Sequence, residues 1–382
     1  MPAQIGGPAA GGGLAGLLKS WAVEEGFSRA GVCRLEKSEQ NELFRRWLER
    51  GDHASMAWLE KYPEKREDPA TLLEGAKSAL CVALQYWPLE GEDPPTGDLW
   101  PKVARYARGR DYHELMSKSL RRLGERIEAA FPGTTTRGWV DTGPILEREL
   151  AARAGLGVQG KNTNLLQRGG GSYFLLGELF TTLELESDEP VGDLCRSCTR
   201  CLDACPTGAL PAPYRLDANR CISYWTIEHR GDLPAEMRPQ IGEWVFGCDI
   251  CQEVCPWNVK VQPGTEARLR LPEKRRELDL AGLLALGEEG WALKFQVSAM
   301  KRAKLEGLKR NAAVVMGNRR DPAYVEPLGL ALEEGSPLVR RHAAWALGQI
   351  GGEAARGKLS SALAAADEPL LRQEIEAALR GA

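Results

Sequence analysis

Eight of the chain's ten cysteines crowd between Cys195 and Cys255, most of them three or four residues apart. Chains that use such a density of thiols as disulfides are small and secreted, whereas this one runs to 382 residues, so the crowding predicts metal. The run Cys195-x2-Cys198-x2-Cys201-x3-Cys205-Pro206 has the spacing in which three thiolates hold one iron-sulfur cube and the fourth reaches a neighbouring cube. A second run, Cys248-x2-Cys251-x3-Cys255-Pro256, lacks its first member, and Cys221 is the thiol available to supply it. Zinc also suits Cys-x2-Cys pairs, but the spacing ending in Cys-x3-Cys-Pro occurs twice and favours iron and sulfide. Cys33 and Cys81 lie in apolar contexts far from this block and are expected to be buried structural thiols.

By the crossed ligation of two-cluster ferredoxins, one 4Fe-4S cluster takes Cys195, Cys198, Cys201 and Cys255, and the other takes Cys205, Cys221, Cys248 and Cys251. Two such clusters pass electrons one at a time, so the chemistry has to lie elsewhere in the chain. No Gly-x-Gly-x-x-Gly follows a strand pattern and no P-loop is present, which argues against nicotinamide and nucleotide-triphosphate sites.

The length points to two or three domains. A charge of -3, from 50 Lys and Arg against 53 Asp and Glu, means that any nucleic-acid surface must be local. No apolar run reaches the roughly 18 to 20 residues that span a bilayer. The Gly-rich start carries no positive charge before Lys19, unlike a secretory signal, and reads as a loose tail of a cytoplasmic protein.

The expected organisation is a flexible tail over residues 1–13, a catalytic domain over 14–190, a ferredoxin-like cluster domain over 191–262 and a helical repeat domain over 263–382. The catalytic domain is α+β, with α/β-like alternation. Leu14 to Trp21, Glu42 to Leu48 and Ser117 to Ala130 show helical spacing, whereas Ser78 to Tyr86, Gly138 to Val140 and Ser172 to Leu176 read as buried strands. In the last stretch, Leu308 to Gly317 returns as Val339 to Gly348, with Arg310/Arg341, Ala312/Ala343, Ala313/Ala344 and Gly317/Gly348 identical, and a weaker copy runs from Leu370 to Leu379. This resembles HEAT-type repeats. Between residues 290 and 320 eight cations (Lys294, Lys301, Arg302, Lys304, Lys309, Arg310, Arg319 and Arg320) face one carboxylate, Glu306. They form a solvated face or a nucleic-acid grip.

Lys65-Arg-Glu-Asp-Pro69, Tyr106-Ala-Arg-Gly-Arg-Asp-Tyr-His113, Val140-Asp-Thr-Gly-Pro144, Ala154-Gly-Leu-Gly157, Gly160-Lys-Asn-Thr-Asn164 and Gly247-Cys-Asp-Ile-Cys-Gln252, in this order around the cysteines, resemble the epoxyqueuosine reductase family from about residue 15 to 380. The resemblance implies a cobalamin-dependent oxidoreductase that removes the epoxide oxygen of epoxyqueuosine in a tRNA anticodon loop. Its substrate would be tRNA with a GUN anticodon, and an external one-electron donor of flavodoxin or ferredoxin type would feed it. The implied cobalamin is base-off, without a protein ligand on cobalt. The string nearest to the imidazole-ligating Asp-x-His-x-x-Gly pattern, Asp111-Tyr-His113-Glu-Leu-Met116, ends in Met. By motif, Arg66, Ala104, Asp141, Asn164, Ser223, Cys248 and Asp249 surround the corrin, with Lys161 and Asn162 as additional contacts.

Epoxide opening needs a proton for the departing oxygen. Asp141, at a strand end before Thr142-Gly143-Pro144 opens a helix, is the candidate acid, with burial beside the corrin expected to raise its pKa. Its competing role is a helix cap, which Thr142 could equally fill. His229 and Arg230 are expected to touch nucleotides near the modified base, and Lys301, Arg302 and Lys304 to grip stem phosphates. A monomer away from membranes is expected. Two other classes stay open: a reductive dehalogenase-like enzyme, which would not need basic helical repeats, and a ferredoxin-type carrier, which would not need cobalamin.

Overall fold

The computed structural model describes residues 13–89, 101–276 and 278–381, so most of the expected tail lies outside the described residues. Alternating side chains on Ser78–Gln85 (β2) explain the centre of the first compact unit. Leu80, Val82 and Leu84 enter one core and Ala79, Cys81 and Ala83 another, so this strand is buried on both faces. It pairs antiparallel with Arg29–Arg34 (β1) and with Phe174–Thr181 (β4), and Thr136–Trp139 (β3) closes the sheet in the order β1-β2-β4-β3. Leu14–Glu24 (α1) and Tyr112–Ala130 (α2) supply Leu18, Ala22, Leu115, Leu120, Leu123 and Ile127 to one face. Glu147–Arg153 (α3) supplies Leu150 and Ala151 to the other. The α+β expectation holds, and Cys33 and Cys81 are buried in the second core.

The cysteine block does not stand as a body of its own. Compactness divides the chain into one unit of Met1–Glu90, Asp111–Ala218 and Ile250–Arg270, and another of Gly91–Arg110, Asn219–Asp249 and Leu271–Ala382. The physical reason lies in where its segments bury polar groups. In the first unit Asn258 bonds Ser172 and Gln252, and Trp257 Nε1 donates to Leu194 O. In the second, the stretch from Ile222–Ile227 (α4) to Trp244–Phe246 (β5) is bound to the repeat helices. Asn311 donates to Thr226 O and Val245 O, and Arg238 pairs with Glu374 at 2.6 Å.

Those helices are Lys304–Arg319 (α5), Val325–Glu334 (α6), Pro337–Ile350 (α7), Gly352–Ala365 (α8) and Pro369–Gly381 (α9). The repeated glycines mark the closest helix approaches. A Cβ on Gly317 would lie 2.8 Å from Ala346 Cα, and one on Gly348 would lie 2.8 Å from Ala378 Cα. The identical alanines at 312, 313, 343 and 344 are fully buried beside them.

Candidate active site and cluster ligands

Asp141 follows β3 with φ 57°, a left-handed conformation that Asp tolerates better than most residues. The turn is held by its own backbone: the Asp141 N–H donates to Glu147 Oε1 at 2.5 Å and the Thr142 N–H to Val140 O at 2.6 Å. The next helix, α3, starts at Glu147 with Leu146 before it, so Asp141 is not its cap. Its carboxylate is engaged otherwise. Tyr112 donates its hydroxyl to Asp141 Oδ2 at 3.1 Å, and His113 Nε2 lies 3.1 Å from the same oxygen while Nδ1 lies 2.7 Å from Asp111 Oδ1. Asp111 also caps α2.

The Asp141 side chain is 59% exposed and opens onto a cavity. The group beside it holds a proton. Burial works against charging His113, but its hydrogen bonds to Asp111 and Asp141 outweigh this and raise it to about 9. The resting site is an imidazolium held between two carboxylates, one of them open to a cavity.

That cavity, about 650 Å³, lies wholly in the first unit. Phe44, Trp47, Leu59 and Ile145 give it apolar walls, and Arg66, Asp141, Arg148 and Tyr214 give it polar ones. A second space of about 170 Å³ shares Asp141, Glu147 and Arg148 and adds Tyr112, Asn164 and Ser172. Arg66 is buried, donates to Lys61 O and lies 5.4 Å from the Phe44 ring. Of the positions expected around the corrin, Arg66, Asp141 and Asn164 thus converge on these cavities. Apolar walls with a few donors suit the faces and amide rim of a macrocycle.

Lys161 and Asn162 have their side-chain donors elsewhere. Lys161 Nζ donates to Arg196 O at 2.6 Å and Cys198 O at 3.0 Å, and Asn162 Nδ2 donates to Cys251 O at 3.3 Å. They order the cluster loops. In the second unit Ala104, Cys248 and Asp249 come together. Ala104 N–H donates to Phe246 O at 2.8 Å, and Gly247, at φ 68°, has room for no side chain because its Cβ would meet Ala104 Cβ at 2.5 Å. Asp249, 2% exposed, accepts the Arg105 N–H at 2.8 Å. Ser223 lies on α4 of the same unit.

Cys195, Cys198, Cys201 and Cys255 line one pocket of about 240 Å³ with Leu166, Leu194 and Trp257, the grouping that crossed ligation predicts. Among the described residues no three metal-ligating side chains converge closely enough for a single ion. Four thiols round a shared space fit a cube better than zinc, whose sulfurs must all approach within about 2.3 Å of one point. Lys161 N–H points at Cys195 Sγ at 3.5 Å, and Ala209 N–H at Cys205 Sγ at 3.3 Å, dipoles of the kind that stabilise anionic cluster sulfur.

The basic stripe is only partly a surface. Arg310 is 0% exposed and donates to the carbonyls of Trp225, His229 and Gly231, because an interior guanidinium needs acceptors. Arg319 is largely buried near Glu243. Lys301, Arg302 and Lys304 are exposed, with Arg302 on Glu228 at 2.8 Å. His229 packs edge-on to Trp225, and burial holds its imidazole below the usual value. Arg230 donates to Ile227 O and Arg302 O. The structure therefore places Arg302 beside the segment that carries His229 and Arg230.

Sequence reasoning missed the roles of Tyr112, His113, Glu147 and Glu178. Glu178 carried a signal: it is the lone charge in an otherwise apolar strand, Phe174-Leu-Leu-Gly-Glu-Leu-Phe180.

Fold and cysteine frame together define an iron-sulfur protein with a catalytic α+β unit and helical repeats. Family models match residues 66–142 as epoxyqueuosine reductase QueG, 194–258 as a 4Fe-4S double cluster binding domain and 297–380 as HEAT repeats. The chain is 42% identical to the epoxyqueuosine reductase of Xanthomonas campestris pv. campestris over 344 residues, covering 87% of this chain and 95% of that one. It is 38% identical to that of Escherichia coli K12, covering 88% and 89%. A crystal structure of epoxyqueuosine reductase with a tRNA-Tyr epoxyqueuosine-modified stem loop superposes with a TM-score of 0.88 at 32% identity, over 95% of this chain and 97% of that one. The chain belongs to the epoxyqueuosine reductase family.

Proposed function

We propose that this protein reduces epoxyqueuosine to queuosine at the wobble position of tRNA with a GUN anticodon, with cobalamin and two 4Fe-4S clusters as its cofactors. The observation that carries the reading is the Tyr112, His113 and Asp141 constellation, with Asp141 opening onto a cavity of apolar walls and a few donors. Arg66, Asn164 and the apolar wall of Phe44, Trp47 and Ile145 would hold the corrin in the first unit, and Ala104, Ser223, Cys248 and Asp249 are the positions proposed for it in the second. Cobalamin held there would supply a strongly reducing low-valent cobalt.

The chain's own residues supply the acid. Asp141 presents its carboxyl to the epoxide oxygen, His113 recharges it from 3.1 Å, and Tyr112 and Asp111 fix the direction of that transfer. A relative from Bacillus subtilis has been seen with its catalytic aspartate loop swung out of the active site, consistent with delivery from a strained loop. Two clusters relay single electrons from an external donor of flavodoxin or ferredoxin type. The eight thiolates are Cys195, Cys198, Cys201 and Cys255, and Cys205, Cys221, Cys248 and Cys251. His229, Arg230, Lys301, Arg302 and Lys304 are the proposed tRNA contacts. A cytoplasmic monomer fits this substrate, and among the described residues no helix is long and apolar enough to cross a membrane.

The test is anaerobic reconstitution with iron, sulfide and cobalamin, then reaction with an epoxyqueuosine-modified stem loop. Expected are about eight irons and eight sulfides per chain, a base-off cobalamin spectrum and product lacking one oxygen. Stoichiometric zinc without sulfide, or no spectral change with cobalamin, would overturn the reading.

A further inference from the structure

Glu178 lies at the centre of β4, opposite Cys81 in the register, on the face covered by α3. It is 0% exposed, and neither carboxyl oxygen has a hydrogen-bond donor among the described residues. Its close polar neighbour is another carboxyl, Glu147, within hydrogen-bonding reach. Two carboxylates offer only acceptors to each other, so this contact becomes a bond only when one carries a proton. An ionised pair without donors in such a place would be prohibitively unfavourable.

Glu147 connects this buried site to the reaction. It lines both cavities that Asp141 lines, and its Oε1 accepts the Asp141 N–H. The smaller space, about 170 Å³ with Tyr112, Asn164 and Ser172 as further polar walls, has room and partners for water between the Glu147 and Asp141 carboxyls.

Resting on the reading above, we propose that Glu147 and Glu178 form a one-proton carboxyl dyad that acts as a second proton store behind Asp141. The balance of the reaction calls for one. Opening the epoxide and forming the alkene breaks both carbon-oxygen bonds and consumes two electrons from the external donor and two protons, releasing one water. The His113 and Asp141 pair holds one proton for the first cleavage. The dyad returns a second to Asp141, through cavity water, for departure of the oxygen as water. Glu147 and Glu178 are positioning residues, since neither is placed on the reacting atoms.

The electrostatic surroundings agree. Burial and the Asp141 carboxylate raise Glu147 to about 7, against opposing contributions from the Asp141 N–H, Glu178 and Arg148. Burial, Glu147, Cys33 and Asp141 raise Glu178 well above the carboxylate range. The charged and titratable groups facing the dyad are thus Asp141 and Arg148 from the loop and α3, and Cys33 and Cys81 from β1 and β2, with His113 and Tyr112 beyond Asp141.

The test uses Glu178→Gln and, because a substitution in the sheet centre can impair folding, Glu147→Gln at the cavity wall. Infrared difference spectra of the reconstituted protein across neutral pH should show a protonated carboxyl band that either variant removes. Steady-state turnover on the modified stem loop should fall by roughly 10 to 100-fold with unchanged KM, and the alkaline limb of the pH-rate profile should move. A band that persists in both variants, or turnover and pH profile that match wild type, would overturn the dyad. If the unaltered protein shows the band but no reduction of epoxyqueuosine, the parent reading fails and the dyad stands.

Discussion

At Asp141 two things that a sequence pattern treats as one come apart: the carboxyl that opens onto the cavity and the group that keeps the proton. The exposed carboxylate accepts from Tyr112 and His113, and the imidazole carries the charge. Asp141→Asn should lower turnover by roughly 10²- to 10⁴-fold, with iron content and stem-loop affinity retained, as checked by single-turnover kinetics and metal analysis. His113 should remain protonated through neutral pH, and Asp141→Asn should bring its titration down toward 6.5, followed by NMR of the ring protons. The sign for stability follows from a raised folded-state value. The stabilisation is fully present below about 6.5, the unfolded imidazole's value, and is lost as pH rises through about 9.

At the scale of elements, α5 does two jobs that a charge count merges. Its exposed first turn offers Lys304, while its buried middle uses Arg310 to fasten the segment carrying Trp225 and His229. Arg310→Leu leaves buried carbonyls without a donor and should destabilise the chain by roughly 3 kcal/mol, read by denaturant unfolding. Stem-loop affinity should fall too, although Arg310 cannot reach RNA, and the salt dependence should keep its slope because no phosphate contact is removed. The repeat was legible in the sequence because helix packing at Gly317 and Gly348 tolerates no Cβ. That a repeated Arg becomes a buried clasp in one copy and an ion pair with Asp232 and Glu368 in the next was not.

For the whole molecule, affinity for tRNA has to come from a local surface on a chain of net charge -3. Lys301→Gln with Lys304→Gln should weaken stem-loop binding and lower the slope of log affinity against log salt by roughly 0.7 per lost phosphate contact, measured by titration across salt concentrations. The 4Fe-4S double cluster domain was readable from the chain alone, because cluster-binding runs are marked by covalent spacing, and Cys195, Cys198, Cys201 and Cys255 line one pocket. So were the strand and helix patterns of the first unit, since burial on two faces imposes its own periodicity on residues 78–85. Other features depended on the tertiary structure. Arg66, Asp141 and Asn164 meet around cavities although they lie far apart in sequence, and Lys161 and Asn162 turn to the cluster loops. Segments 219–249 join the helical unit rather than the cluster block. Whether a carboxyl is exposed, paired with an imidazolium or sealed against another carboxyl depends on neighbours from other elements. Spacing along the chain marks the cysteine runs that bind clusters, whereas only packing in space fixes where a proton rests.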